Sequence, residues 1–225
     1  MKTLESLFQE LDNIKVIDAS IDYQYYTPLD LSPSNTDLEH IKDSNSTDFE
    51  IYIENLLQKR NAKVAYGGYN EKRNLYKRSE KFNDETTDER NIHLGLDLWI
   101  KAGTPVLAPL DGHIHSFNYN TGLGDYGPTI ILEHQIEEHK FYTLYGHLSL
   151  ESINHIAIGD AVQQGNQIAT LGDASVNGDY APHLHFQIIK EIPNASGDYP
   201  GVCNSKDLQH FLENCPDPNL LLKIY

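Results

Sequence analysis

The chain has 225 residues and carries 17 Lys/Arg against 33 Asp/Glu, a formal net charge of −16. That balance excludes a nucleic-acid binder, which needs a positive footprint on phosphate, and argues against docking on anionic membrane or a polyanionic wall. The length allows one ordinary domain, or one domain plus an extension, and no run approaches the ~18 apolar residues that a membrane span requires.

Residues 1–14 set Leu4, Leu7, Phe8, Leu11 and Ile14 at helical spacing and predict a first helix. The same segment, with Glu5, Glu10 and Asp12, lacks the basic start and apolar stretch of a secretory signal, so a cytoplasmic protein is expected. Residues 22–47, rich in Asp, Ser, Asn and Pro, read as loop. A second helix is expected from Thr47, where Thr47-x-x-Glu50 has the form of a capping box and Phe49, Ile53, Leu56 and Leu57 share a face. Residues 1–61 are therefore expected to form a helical extension that packs rather than catalyses.

From residue 62 the pattern changes. Strand-like runs over 94–100, 105–107, 113–117, 129–133, 140–145, 167–171 and 183–189 are separated by turns carrying Gly, Pro, Asn or Asp. Such spacing predicts a mainly β (α+β) domain over 62–225, its core at 90–190 and its sheet mostly antiparallel. A Pro/Gly/Asp-rich C-terminal tail follows, and its last apolar piece, 220–225, is expected to pack back on the domain. Cys203 and Cys215 are too few for a disulfide scaffold and are expected to be thiols without a chemical role.

The eleven histidines carry the chemistry. In Pro182-His183-Leu184-His185-Phe186-Gln187, alternation puts His183, His185 and Gln187 on one face and Leu184 and Phe186 in a core. In His93-Leu94-Gly95-Leu96-Asp97, His93 and Asp97 again share a face. A flat strand would part them by ~13 Å, too far to share an ion, so the chain must bend between them, and Gly95 is the residue that permits it. His93, Asp97 and one of His183 and His185 make two imidazoles and one carboxylate. That is the donor set of a catalytic zinc site with its fourth place open, whereas a closed structural site would want four ligands, usually with thiolates. A third piece, Tyr145-Gly146-His147-Leu148, puts a histidine at the end of an apolar strand.

These pieces, in this order, resemble the lysostaphin-like M23 zinc metallopeptidases, whose pattern is His-x-x-x-Asp, a lone His after a strand, then His-x-His. The stretches Gly103–Gly112 and Gly159–Gly172 are also similar to the family, and coverage runs over about residues 90–190. The stretches around Tyr66-Gly67-Gly68-Tyr69, Gly124–Leu132, Gly197–Val202 and Cys215–Asn219 resemble a subset of members without an export signal. The resemblance implies one Zn2+ held by His93, Asp97 and His185, with His147 and His183 as the catalytic pair for proton transfer and oxyanion stabilisation. It implies a metalloendopeptidase or amidase acting on a peptide, either a peptidoglycan-type fragment or a small cytosolic peptide. An acidic balance makes mature cell wall a doubtful substrate. Tyr66, Tyr69 and Arg73, beside the basic stretch Lys59–Lys81, are expected to contact substrate, and His115 to line the groove.

Two other histidine pairs are set aside. His134-x-x-x-x-His139 misses the inverted zincin spacing by one residue and reads as an exposed hairpin; His113-x-His115 reads as a solvated strand face. The rival to an enzyme is a non-catalytic M23-like domain acting as a regulatory or binding partner. A lipoyl-type carrier is excluded because no lysine occurs between Lys140 and Lys190. The oligomeric state is not legible.

Overall fold

Twelve strands are found in a computed structural model that describes residues 2–41, 45–73, 89–193 and 196–225. In chain order they are β1 (Tyr26–Pro28), β2 (Val64–Gly67), β3 (Ile92–His93), β4 (Leu96–Trp99), β5 (Pro105–Leu107), β6 (Gly112–Asn120), β7 (Gly127–Ile136), β8 (His139–Gly146), β9 (Ala161–Val162), β10 (Gln167–Thr170), β11 (His183–Ile189) and β12 (Val202–Cys203). Eight form one sheet in the order β1-β2-β4-β11-β8-β7-β6-β9, and β10-β5 and β12-β3 form two short ribbons. β1 and β2 run parallel; the other pairs among the described residues are antiparallel. The fold is mainly β, with four short-to-medium α-helices among the described residues.

Side-chain alternation assigns the faces of the central strands. Leu96 and Leu98 of β4, Leu184, Phe186 and Ile188 of β11, and Tyr145 of β8 all enter the main core. Asp97, His183, His185 and Gln187 are left for the opposite face. The register sets His185 across from Asp97 on one side and from Gly146 on the other, with His183 across from Trp99. Directly opposed residues of an antiparallel pair hold their Cβ atoms ~5 Å apart. The register alone thus brings residues 97 and 185 within reach of a common ion.

The described part of the first 61 residues packs against this core. Helix α1 (Leu4–Glu10) begins where the Thr3 hydroxyl accepts from the Ser6 N–H and is shorter than residues 1–14 predict. Beyond it Ile14, Val16 and Ile17 stay buried in the main core from extended chain, with Leu4 and Phe8. The segment 22–47 is not all loop: β1 pairs with β2 as the edge strand of the sheet, and Pro28, which has no N–H to offer, suits that edge position. Helix α2 (Ser46–Arg60) is capped by Asn45, whose side chain accepts from the Asp48 N–H, and not by Thr47. Its Ile53 joins Leu29, Leu31 and Trp99 in a second cluster, on the functional side of β4. In the tail, α3 (Leu208–Asn214) and α4 (Asn219–Leu222) form, and Leu221 and Leu222 return to the main core. The hairpin across residues 134–139 forms between β7 and β8, but His134 is not exposed on it. The side chain is buried, with its ring stacked on Phe141, its Nδ1–H on the Asp111 carbonyl at 2.8 Å and its Nε2 at 2.7 Å from the Thr143 hydroxyl.

Candidate active site

His93, Asp97 and His185 converge. His93 Nε2 lies 2.9 Å from His185 Nδ1 and 3.3 Å from Asp97 Oδ1, and His185 Nδ1 lies 3.1 Å from Asp97 Oδ1. All three side chains are buried. The bend between His93 and Asp97 is real but does not come from a left-handed glycine. β3 pairs with β12 in a separate ribbon while β4 belongs to the main sheet, so the chain changes partners between them. Gly95 is needed for another reason: a Cβ there would stand 2.5 Å from His185 Cε1 and 2.9 Å from the Phe186 carbonyl oxygen.

The outer nitrogens fix the tautomers. His93 Nδ1–H donates to the Gly68 carbonyl at 2.9 Å. His185 Nε2–H donates to Gln187 Oε1 at 2.9 Å, and the amide is oriented by its own Nε2–H donating to the Pro200 carbonyl at 3.1 Å. Both inner nitrogens therefore present lone pairs to a carboxylate oxygen and to each other. Three acceptors at 2.9–3.3 Å repel unless a cation lies among them. Ligands ~2.1 Å from a tetrahedral zinc ion stand about 3.4 Å apart, so the triangle suits zinc with only slight expansion. Anchoring each ligating imidazole through its second nitrogen is how metal sites orient their histidines.

Burial, followed by the Arg73 charge, pushes His93 down to about 4, so it is a neutral donor at neutral pH. Burial alone would raise Asp97, but His93 and Arg73 outweigh it and hold the carboxyl well below its usual range. Arg73 Nη1 donates to Asp97 Oδ2 at 2.6 Å, and its Nε to Glu71 Oε2 at 2.6 Å.

His147 and His183 stand beside this triad with ring centroids 4.1 Å apart. His147 Nδ1–H donates to the Asn177 carbonyl and His183 Nδ1–H to the Ala181 carbonyl, each at 2.8 Å, which leaves both Nε2 atoms as acceptors. Burial lowers His183 and, with the neighbouring His183, lowers His147 further. His183 stacks on Trp99 at 5.6 Å. His147 sits at a positive φ of 62°, a conformation that a β-carbon resists and that functional positions often hold. All five His/Asp residues line one cleft with about 180 Å³ of internal space.

The other expected contacts are distributed differently. Arg73 lines the cleft but is turned onto Asp97. Tyr66 lies on the opposite face of the sheet, because β2 alternates: its neighbour Gly67 is across from Asp97, while Tyr66 is across from Leu98 and stacks on Tyr225 at 5.2 Å. Tyr69 is committed to the Cys215 carbonyl at 2.8 Å. His115 sits on β6 against Tyr142 and the Ser116 hydroxyl, away from the cleft. These three are not cleft residues. The part of the basic stretch beyond Arg73 lies outside the described residues. Sequence reasoning missed Tyr126, whose hydroxyl stands 3.4 Å from His185 Nε2, as well as Tyr180, Leu31 and Phe49 in the cleft wall. Glycines give a partial signal for Tyr126: its ring fills the space a Gly146 side chain would take and its hydroxyl the space at Gly201.

The family model for peptidase family M23 matches residues 91–197. A Haemophilus influenzae protein named as an uncharacterized metalloprotease is 34% identical over 95 residues, which is 42% of this chain and 18% of that protein. A Buchnera aphidicola subsp. Baizongia pistaciae protein of the same name is 29% identical over 117 residues, 50% of this chain and 28% of that protein. The chain thus spans less than a third of the length of these curated relatives. Among solved structures, the catalytic domain of the antimicrobial peptidase lysostaphin from Staphylococcus simulans aligns at 25% identity and a TM-score of 0.36, covering 54% of this chain and 80% of that one.

Proposed function

We infer, for a chain that belongs to peptidase family M23 through residues 91–197, that it hydrolyses a peptide bond with one zinc ion held by His93, Asp97 and His185. One observation carries the reading: three acceptor atoms within 3.3 Å of one another, the two imidazoles each anchored outward through its other nitrogen. A zinc ion there would supply Lewis acidity, activating a water for attack near neutral pH and polarising the scissile carbonyl.

The remaining steps belong to the chain. His183 and His147 are neutral and present Nε2 acceptors on the cleft side, so either can take a proton from the attacking water and later return it to the leaving amine. Their lowered basicity makes the return easier than the uptake. With rings 4.1 Å apart they carry one proton between them rather than two. The protonated ring then stabilises the tetrahedral oxyanion.

Leu31, Phe49 and Trp99 give the cleft an apolar wall. It supports a substrate with an apolar side chain near the scissile bond, in a peptidoglycan-type peptide or a small cytosolic peptide. In this reading residues 62–225 form the catalytic domain, and the extension 1–61 lends it Leu31 and Phe49. A reducing, cytoplasmic setting goes with it, since Cys203 and Cys215 are both buried thiols. No helix among the described residues is long and apolar enough to cross a membrane.

The test is turnover of a peptide library by the zinc-loaded protein, with and without chelator, beside His183→Ala. Turnover lost on chelation, restored by zinc, and reduced about 10²–10⁴-fold in His183→Ala supports the reading. Turnover that survives both chelation and His183→Ala overturns it.

A further inference from the structure

Arg73 is buried to 2% exposure beside the three acceptors, outside the stretch that matches the family. Its guanidinium is held at both ends by carboxylates, Nη1 on Asp97 Oδ2 and Nε on Glu71 Oε2, each at 2.6 Å. Glu71 is in turn fixed through its other oxygen, Oε1, which accepts the Leu31 N–H at 2.9 Å. A chain of bonds therefore runs from Leu31 in the extension through Glu71 and Arg73 to Asp97.

The backbone aligns this chain with the triad. The Arg73 N–H donates to the Asn91 carbonyl at 2.8 Å, the His93 N–H to the Glu71 carbonyl at 2.9 Å, and the Asn70 N–H to the His93 carbonyl at 2.9 Å. Room for the guanidinium comes from Gly68. A Cβ there would stand 1.7 Å from Arg73 Nη2 and 2.9 Å from His93 Nδ1. Arg73 thus passes on the Nδ1 side of His93, behind the ring, while the converging acceptor is Nε2. It sits outside the acceptor triangle and leaves Oδ1 to it.

Resting on the zinc reading above, we propose that Arg73 is a positioning residue for Asp97, aimed by Glu71, and not a substrate contact. A carboxylate has two oxygens, and an unrestrained one can turn both toward a zinc ion and fill the coordination place that catalysis needs open. One arm of a rigid fork, Nη1–H, holds Oδ2 away while Glu71 fixes the other arm, Nε–H, so that Asp97 offers Oδ1 alone. Glu71 offsets the guanidinium charge, which would otherwise oppose a dication nearby. Lysine gathers its three donors on one point charge without the planar fork, so it holds Glu71 and Asp97 together less rigidly.

The experiment uses the metal-free full chain, titrated with zinc against a chromophoric competitor and with cobalt(II) followed by its visible spectrum. Arg73→Gln is expected to weaken zinc about 10–100-fold, and to replace the intense tetrahedral cobalt bands by the weak bands of higher coordination. Arg73→Lys recovers part of both. Glu71→Gln shows a smaller loss of the same kind, and His115→Gln behaves as wild type. A folded Arg73→Gln protein with wild-type zinc affinity and an unchanged cobalt spectrum overturns the proposal. Should Arg73→Gln not fold, Arg73→Lys decides, because wild-type affinity and spectrum there refute the fork. A wild-type chain that takes up no zinc overturns the metal reading itself, whereas wild-type binding with indifferent Arg73 variants overturns only the role given to Arg73.

Discussion

Replacing Gly95 by alanine adds one methyl group, and the surroundings leave it nowhere to go. The new Cβ would stand 2.5 Å from His185 Cε1, 2.7 Å from its Nε2 and 2.9 Å from the Phe186 carbonyl oxygen. Ordinary carbon contacts are 3.5–4.0 Å, so the ring must retreat by about 1 Å or more. Sliding β4 aside is barred, since Leu96 and Phe186 are opposed residues of the β4–β11 ladder and both are buried in the main core. The ring must yield, and a displacement near 1 Å is half of a ~2.1 Å zinc–nitrogen bond. It also breaks the 2.9 Å bond from His185 Nε2 to Gln187. Loss of an orienting bond alone costs about 10–100-fold in metal affinity, so Gly95→Ala is expected to lose at least 100-fold. Its stability cost is about 1–3 kcal/mol, as for other overpacked sites. The assays are competitive zinc titration and urea unfolding of the metal-free protein. A folded Gly95→Ala protein that binds zinc as the wild type does would refute the close-approach argument.

Gln187→Met, which keeps the volume but cannot accept from His185 Nε2, is expected to weaken zinc about 10–100-fold while the urea midpoint of the metal-free protein changes little; unchanged zinc affinity would show that the tautomer is not held there. His134, away from the cleft, contributes to an acid transition: burial pushes it down to about 4 from 6.5. Because its folded value is depressed, the unfolded chain takes up the proton first, so stability is intact above pH 6.5 and falls as pH drops toward 4. The cost between pH 7 and 5 is about 2 kcal/mol. His134→Gln should flatten the stability–pH curve by that amount, and a slope equal to wild type counts against it. Removing zinc by chelation should lower the melting temperature, since zinc at 100 times its dissociation constant adds about 2.7 kcal/mol; a melting curve indifferent to zinc and chelator would deny that folding and metal are linked.

Much of the site was legible because it rests on strand alternation. Leu184, Phe186 and Ile188 facing the core oblige His183 and His185 to face the other way, and the same parity in β4 frees Asp97. Pairing was not legible: that β11 lies between β4 and β8, so that Asp97, His185 and Gly146 stand in one row, is a property of topology. Tyr66 shows the limit of proximity in sequence, since one step from Gly67 carries it to the opposite face. His134 was misjudged because its neighbours Gln135, Glu137 and Glu138 are polar, while β7 continues the inward face of Ile130 and Leu132 through it to Thr143 and Phe141. Leu31 and Phe49 reach the cleft only through the packing of the N-terminal residues on Trp99, which helical periodicity does not encode.

Metal stoichiometry of the purified chain, read by elemental mass spectrometry beside His93→Ala, Asp97→Ala and His185→Ala, tests the site most directly. One zinc per wild-type chain and almost none in each folded variant is the predicted result. Zinc retained undiminished in all three, or absent from a folded wild type even after equilibration with the metal, would contradict the account.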